Sequence, residues 1–371
     1  MNQSGRSEAL DVLRAIAVML VLVEHAPFTF NGIAGWTGVD LFFVLSGFLV
    51  SGLLFTEHKR FGTISVSRFL VRRGLKIYPA FYAMMLATIA VRLGRHHPPA
   101  LGKWLAEIGF VQNYATRLWV HTWSLAVEEH FYFFLVVCLV TMSKWRRPDP
   151  FKPVLPLFAA IAASVLVARV VAVEQLAVPL DRVFEQTHFR IDSLMCGVAL
   201  SYVFHYRPHR LRAIMVSRSR RRMVGVASAA CLAPVLIALP RTPLVATIGF
   251  TLLYVGYAGL VVLALSRAPA ATNIPGRRTL TSALAFIGRH SYSIYIWHIP
   301  ALSWIFSPVV GKWIQLRGGF WPTVPAFVAF SVLIGIGMAR VIETPVLLLR
   351  DRWFPSRLTT LAPRTLEASA A

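Results

Sequence analysis

Long apolar segments recur along almost the whole chain, and basic residues gather in the short stretches between them. About 19 apolar residues cross a bilayer as an α-helix, and ten segments come close to this length. They are residues 10–28, 38–56, 77–93, 121–142, 153–173, 190–206, 223–240, 243–266, 283–306 and 323–349. The pattern predicts an all-α polytopic integral membrane protein with about ten transmembrane helices, located in the cytoplasmic (inner) membrane of the cell.

Composition and charge agree with this class of protein. Apolar residues make up 56% of the 371 positions, more than an ordinary globular domain contains. The net charge of +22 is spread in short clusters between apolar runs, and no single basic domain is formed. The three cysteines also lie in apolar runs, without the spacing of metal ligands. We therefore expect the lipid bilayer as a partner, and neither nucleic acid nor a metal ion.

The distribution of the basic residues predicts the orientation of the chain. With the N-terminus in the cytoplasm, the predicted inside loops hold 20 Lys and Arg residues and the outside loops hold 9. Because basic loops stay on the cytoplasmic side, both termini are predicted to be cytoplasmic. One transmembrane domain is predicted over residues 1–357, followed by a disordered cytoplasmic tail over residues 358–371.

Ionisable residues are frequent inside the predicted helices. Such residues cost free energy in a bilayer, so they usually face the interior of a bundle and have a function. The set includes Arg14, Glu24 and His25 in the first helix, Asp40 in the second, Glu128 and Glu129 in the fourth, Asp192 in the sixth and His298 in the ninth. Their number indicates a shared polar cavity.

The first helix carries its polar residues on one stripe. Arg14 and His25 are eleven residues apart, and an α-helix turns about 100° per residue, so both lie on the same face about 16 Å apart. In the predicted orientation Arg14 lies toward the cytoplasm. His25 lies in the outer half of the bundle, at the depth of Asp40 and Glu128. The sequence therefore predicts a polar path that leads from the cytoplasmic side to His25.

Six motifs in this order resemble those of the acyltransferase 3 family of integral membrane O-acyltransferases. They are the Arg14-to-His25 spacing, "GVDLFFVLSGFLVSGLLF", "RRGLKIYP", "HTWSLAVEEHFYF", "SYSIYIWHIP" and "VIETPV". The resemblance covers nearly the whole chain. It implies transfer of an acyl group, expected to be acetyl, from cytoplasmic acyl-coenzyme A as co-substrate. The implied acceptor is a hydroxyl of a carbohydrate, such as a polysaccharide or glycolipid, or of a glycosylated small molecule.

The resemblance also implies catalytic roles. His25 is expected to be the essential base that takes the proton of the attacking hydroxyl. A covalent acyl-His25 intermediate remains an alternative to direct transfer. An imidazole base is commonly assisted by a carboxylate. Glu128 is the first expected partner, and Glu24 and Asp40 are the alternatives.

Other residues are expected to bind the donor or to shape the site. The phosphates of coenzyme A call for cations near the cytoplasmic face, and the candidates are Arg14, Arg72, Arg73 and Lys76. Arg72 and Arg73 have an equally good explanation as topology determinants that contact anionic lipids. The residues expected around the substrates are Glu24, Trp123, Ser124, Glu129, Tyr132, Asp192 and His298. For His298, a structural hydrogen bond between helices is the alternative.

A proton-coupled transporter is the rival hypothesis, because intramembrane acids and histidines also mark ion pathways. The sequence has neither an internal repeat nor a matching pair of helices broken by Gly and Pro, so the enzyme is favoured. Some members of the resembled family carry an appended extracytoplasmic domain. This sequence ends soon after its last apolar segment, which predicts a stand-alone transferase or one with a separate extracytoplasmic partner. The oligomeric state is left open.

Overall fold

A computed structural model describes residues 8–27, 34–98, 100–145, 147–238, 242–266, 275–311 and 320–358. These residues form helices joined by turns, and no β-strand occurs among them. The α-helices are α1 Glu8–Glu24, α2 Gly38–Phe61, α3 Val66–Gly94, α4 Leu101–Ile108, α5 Trp123–Ser143, α6 Val154–Val170, α7 Leu180–Glu185, α8 Ile191–Tyr206, α9 Pro208–Val216, α10 Arg218–Ile237, α11 Phe250–Ser266, α12 Pro275–Arg289, α13 Ser291–Ala301, α14 Phe320–Met338 and α15 Thr344–Trp353. Wider π-helical turns extend some of them, at Val171–Gln175, Val245–Gly249, Leu302–Gly311 and Ala339–Glu343.

Six segments of the described chain are long and apolar enough to cross a membrane. They are Gly35–Phe61, Val66–Gly94, Trp123–Ser143, Val154–Gln175, Val245–Ser266 and Pro322–Trp353. The other four predicted spans also fall on helices, namely α1, α8, α10 and α13 with its neighbours. The chain is a multi-pass membrane protein, and its described part is helical. The count of ten crossings and the cytoplasmic termini stay predictions, and residues 359–371 of the predicted tail lie outside the described ranges.

Helix α2 packs against α1, α5, α8 and α11, and its contact with α8 is the most extensive. A Cβ atom on Gly47 would lie 2.0 Å from the carbonyl oxygen of Leu194, and one on Gly197 would lie 2.2 Å from that of Val44. Both clashes are with backbone, so only glycine allows the two helices to cross this closely. The crossing brings the first turn of α2 next to the start of α8.

Helix α1 lies between α2 and the late helices α12 and α13. Its contact with α12 is also backbone to backbone, because a Cβ atom on Gly288 would lie 1.8 Å from the carbonyl oxygen of Asp11. Val18, Val21 and Leu22 of α1 join Ile294 of α13 in one apolar core. This packing places the end of α1, which is followed by His25, beside α13.

Candidate active site

Three histidines from distant parts of the chain meet at one point. His25 follows α1, His298 lies in α13, and His121 lies in the segment between α4 and α5. The ring centroids of His25 and His298 are 4.9 Å apart, and those of His298 and His121 are also 4.9 Å apart. His298 and His121 are fully buried, whereas His25 is partly exposed. His25 is therefore the member of this histidine cluster that a substrate can reach.

Backbone carbonyls allow a tautomer to be assigned to each ring. Nδ1 of His25 lies 2.9 Å from the carbonyl oxygen of Val21, and Nδ1 of His298 lies 2.6 Å from that of Tyr295. These nitrogens carry the proton and donate it, since a carbonyl only accepts. The lone pair of each neutral ring is then on Nε2. Nε2 of His298 lies 3.4 Å from Nδ1 of His25 and accepts a second, longer hydrogen bond from it.

Tyr295 connects the histidine cluster to a polar cavity. Its hydroxyl donates to the carbonyl oxygen of His121 at 2.6 Å and lies 2.6 Å from Oγ of Ser124. Tyr295 and Ser124 line the cavity together with Arg14, Val39, Phe42, Phe43, Ser46, Ile77, Leu125, Glu128, Glu129, Ser291 and Tyr292. Arg14 donates from Nε to the Ser291 hydroxyl at 3.2 Å. Arg14 thus lines this cavity, whereas His25 is not among its lining residues, and the polar path from Arg14 to His25 stays a prediction.

A charged cluster from α3 and α5 borders the same cavity. Nη2 of Arg73 lies 3.4 Å from Oε2 of Glu128, and the guanidinium stands 4.1 Å from the centre of the Tyr132 ring. The Tyr132 hydroxyl and the Ser46 hydroxyl both donate to the same oxygen of Glu128. Glu128, the first expected partner of His25, is therefore engaged by Arg73 instead. The Val21 carbonyl and His298 accept from Nδ1 of His25, where a carboxylate was expected.

A second opening, a groove of about 420 Å³, lies on the other side of this cluster between α3 and α5. It is lined by Leu70, Val71, Arg73, Gly74, Leu75, Tyr78, Pro79, Glu129, Tyr132 and Phe133. Glu129 borders both the groove and the cavity, and the Tyr78 hydroxyl donates to its Oε2 at 2.9 Å. Arg73 and Glu129 therefore form part of the wall between the two spaces.

Asp40 and Asp192 belong to a separate, fully buried cluster of ion pairs. Oδ1 of Asp40 lies 2.7 Å from Nη2 of Arg190, and Oδ2 of Asp192 lies 2.7 Å from Nη2 of Arg169. Asp40 was an alternative partner for His25, and Asp192 was expected near the substrates. The structure pairs both with arginines. The glycine crossing of α2 and α8 brings Arg190 against the first turn of α2, and Arg169 reaches Asp192 from α6.

The remaining expected residues have the following surroundings. Arg72 forms an ion pair with Asp351 at 2.9 Å and donates to the carbonyl oxygen of Phe354. Lys76 lies one turn after Arg73 in α3.

The Arg190 guanidinium stands over Trp123, with its carbon atom 5.4 Å from the centre of the Trp123 ring. Glu24 ends α1, and its side chain packs on Gly35.

Four residues of this region were missed by sequence reasoning. Arg190 stands at the boundary of the predicted span 190–206, and Arg169 lies within the apolar run 153–173. An arginine inside a predicted span needs an acid at the same depth, and that signal was present for Arg169. His121 is the first residue of the motif "HTWSLAVEEHFYF" but precedes helix α5. Tyr295 gave no signal, because an aromatic residue in an apolar helix is ordinary.

Comparison with known proteins identifies the family. A family model described as an acyltransferase domain matches residues 7–340. The chain belongs to the acyltransferase 3 family. Both the predicted family and the predicted enzyme class, an acyltransferase, are thereby confirmed.

Two relatives carry more specific names. The chain is 28% identical to the peptidoglycan O-acetyltransferase OatA of Listeria monocytogenes and 26% identical to the O-acetyltransferase OatA of Staphylococcus aureus. Each alignment covers 91% of this chain but only 55% and 56% of the respective relative. The chain thus spans little more than half the length of the curated relatives it matches. No solved structure matches the chain significantly.

Proposed function

We propose that the protein is a membrane O-acetyltransferase. It moves an acetyl group from cytoplasmic acetyl-coenzyme A to a hydroxyl of a carbohydrate, with a polysaccharide such as peptidoglycan as the favoured acceptor. The names of the two relatives support the acetyl group and the polysaccharide. The observation that carries the proposal is the hydrogen bond from Nδ1 of His25 to the Val21 carbonyl, because it leaves Nε2 of this partly exposed ring unprotonated and able to act as a base.

Direct transfer needs one proton acceptor and one reacting carbonyl. Nε2 of His25 takes the proton of the acceptor hydroxyl while the hydroxyl oxygen attacks the thioester carbon. The carbon–sulfur bond then breaks, and the imidazolium returns the proton to the leaving thiolate of coenzyme A. The products are the sugar O-acetyl ester and free coenzyme A. A general base of this kind contributes roughly 10²- to 10⁴-fold to the rate.

The surroundings of His25 suit the positive charge that forms during this reaction. The imidazolium keeps its Nδ1 donor directed at the Val21 carbonyl and at Nε2 of His298. Both acceptors are uncharged, and the second is itself fixed by the Tyr295 carbonyl. This arrangement orients the base without a carboxylate.

Donor binding is assigned to the basic side chains of α1 and α3. The guanidinium of Arg73 borders the groove, and its side chain is 21% exposed. Its charge can therefore be reached by a phosphate of coenzyme A that enters the groove. Arg14 and Lys76 would extend the path on either side. Arg72 would have to release Asp351 before it could bind a phosphate.

The proposed activity is tested with the purified full chain in lipid nanodiscs. Radiolabelled acetyl-coenzyme A and soluble peptidoglycan fragments are supplied, and the ester product is identified by mass spectrometry and by its loss under mild alkali. We expect O-acetylated fragments only when protein and both substrates are present. Release of label without a carbohydrate ester, or no release at all, would contradict the proposed reaction.

A further inference from the structure

The short helix α4 exposes apolar residues and buries an acidic one. Leu101, Leu105 and Ile108 are exposed by half or more of their surface, whereas the carboxylate residue Glu107 is completely buried. Burying an acid costs free energy unless hydrogen bonds compensate it. Helix α4 therefore turns its acid toward the protein for a reason other than apolar packing.

The carboxylate of Glu107 holds one end of the segment that leads into α5. Its Oε1 accepts hydrogen bonds from the backbone N–H of Leu118 at 2.9 Å and of Trp119 at 3.4 Å. The same oxygen accepts from the Thr122 hydroxyl at 2.9 Å. One side chain thus fixes both sides of residues 119–121. Gln112 adds a further bond, from its amide to the Thr122 carbonyl at 2.8 Å.

His121 is the residue enclosed by these bonds. Its Nε2 donates to the Ile296 carbonyl at 3.1 Å, and its ring packs on His298. His298 in turn accepts from Nδ1 of His25. A continuous series of contacts therefore leads from Glu107 through the backbone to His121, His298 and His25.

We infer that Glu107 is a positioning residue that sets His121 against His298 and so fixes the orientation of His25. Its effect on catalysis rests on the proposed function. The geometry assigns the task to Oε1 alone, since all three bonds end on that oxygen and none of the described hydrogen bonds ends on Oε2. Glutamine keeps an oxygen at this place, and alanine removes it.

The kinetic test compares Glu107→Ala, Glu107→Gln, His121→Ala and the double variant Glu107→Ala/His121→Ala in nanodiscs. We expect Glu107→Ala and His121→Ala to lower kcat by a similar factor, of the order of 100-fold for a displacement near 1 Å, with the KM for acetyl-coenzyme A unchanged. Glu107→Gln should remain close to wild type. The double variant should be no slower than His121→Ala, because both changes act through one residue.

A matched control acts on the same segment at another point. Glu185 forms an ion pair with Arg117, and its carbonyl accepts from Asn113, so it does not hold residues 118–122. Glu185→Ala should leave kcat unchanged. Full activity of His121→Ala, multiplied losses in the double variant, or a Glu107→Gln variant as slow as Glu107→Ala would each overturn the inference.

Hydrogen–deuterium exchange separates this inference from the proposed function. Loss of the Glu107 acceptor should speed exchange at Leu118 and Trp119 in Glu107→Ala, and Glu107→Gln should retain wild-type protection. Unchanged exchange in Glu107→Ala would overturn the positioning role, whatever the activity. Wild-type protein that transfers no acetyl group would contradict the proposed function alone, with exchange still reporting on Glu107.

Discussion

The imidazole of His121 donates a hydrogen bond from Nε2 to the carbonyl oxygen of Ile296, 3.1 Å away. In a regular helix that carbonyl would accept from the N–H four residues later, but that position is Pro300, which has no N–H. The proline thus leaves a buried acceptor in the middle of α13, and a histidine from 175 positions away along the chain satisfies it. The motifs "HTWSLAVEEHFYF" and "SYSIYIWHIP" meet at this bond.

Replacement of Pro300 by alanine should restore the helical hydrogen bond to Ile296 and displace His121. We expect Pro300→Ala to fold at least as stably as wild type, because a proline inside a helix is unfavourable. Acetyl transfer should nevertheless fall, since His121 loses its partner. The measurement pairs thermal unfolding in detergent with the transfer rate in nanodiscs. Unaltered transfer would mean that this bond does not matter for the site.

Replacement of Glu128 should affect donor binding more than the chemical step. Its carboxylate contacts Arg73 and Tyr132, so Glu128→Gln removes the charge that orients the guanidinium. We expect the KM for acetyl-coenzyme A to rise roughly tenfold, with a smaller change in kcat. Steady-state kinetics at varied donor concentration measure both. A large fall in kcat at unchanged KM would instead support Glu128 as the partner of His25.

The buried pair of Asp40 and Arg190 should be structural. Removing one partner leaves an uncompensated buried charge, so Asp40→Ala should cost about 3–5 kcal/mol of unfolding free energy. The double variant Asp40→Leu/Arg190→Met should recover most of that loss. Fluorescence-detected size-exclusion chromatography after heating measures the stable fraction. A folded double variant that transfers no acetyl group would contradict a purely structural role of this pair.

The pH dependence of stability should change when Glu107 becomes glutamine. Burial raises the pKa of the Glu107 carboxyl above its ordinary value, so the folded state binds this proton more tightly than the unfolded chain. The Glu107 carboxyl makes its full contribution to stability below its unfolded-state pKa. This contribution is lost as the pH rises from the unfolded-state pKa through the folded-state pKa. Glu107→Gln should therefore have the higher Tm at neutral pH. The difference should shrink on acidification, and equal pH profiles would contradict this explanation.

The helices were largely predictable from the sequence, whereas their neighbours were not. A run of apolar residues is a local property, so all ten predicted segments carry helices in the structure. Orientation rules then give each polar residue a depth. They give neither the order of the helices nor the rotation of each about its axis. Asp40 and His25 were predicted at one depth, yet Asp40 faces Arg190 across a contact 150 positions apart in sequence.

The candidate site was likewise predictable only where its residues belong to one helix. Arg14 could be placed on the stripe of His25 because both belong to one helix. The histidine cluster could not be predicted, because it joins residues 25, 121 and 298 through packing of α1 on α13 and through a folded segment before α5. The second of these depends on Glu107, whose inward orientation opposes the apolar pattern of its own helix.

The most direct test of the central claim compares two histidines with the same local geometry. His290 follows α12, and its Nδ1 lies 2.8 Å from the carbonyl oxygen of Phe286, four residues earlier. Nδ1 of His25 has the same relation to the carbonyl oxygen of Val21, at 2.9 Å. His25→Ala and His290→Ala are reconstituted at equal folded amounts, and the initial rate of acetyl transfer is measured. We expect His25→Ala to lose transfer by roughly 10²-fold or more and His290→Ala to retain it. Transfer by His25→Ala at the wild-type rate would contradict the assignment of His25 as the base.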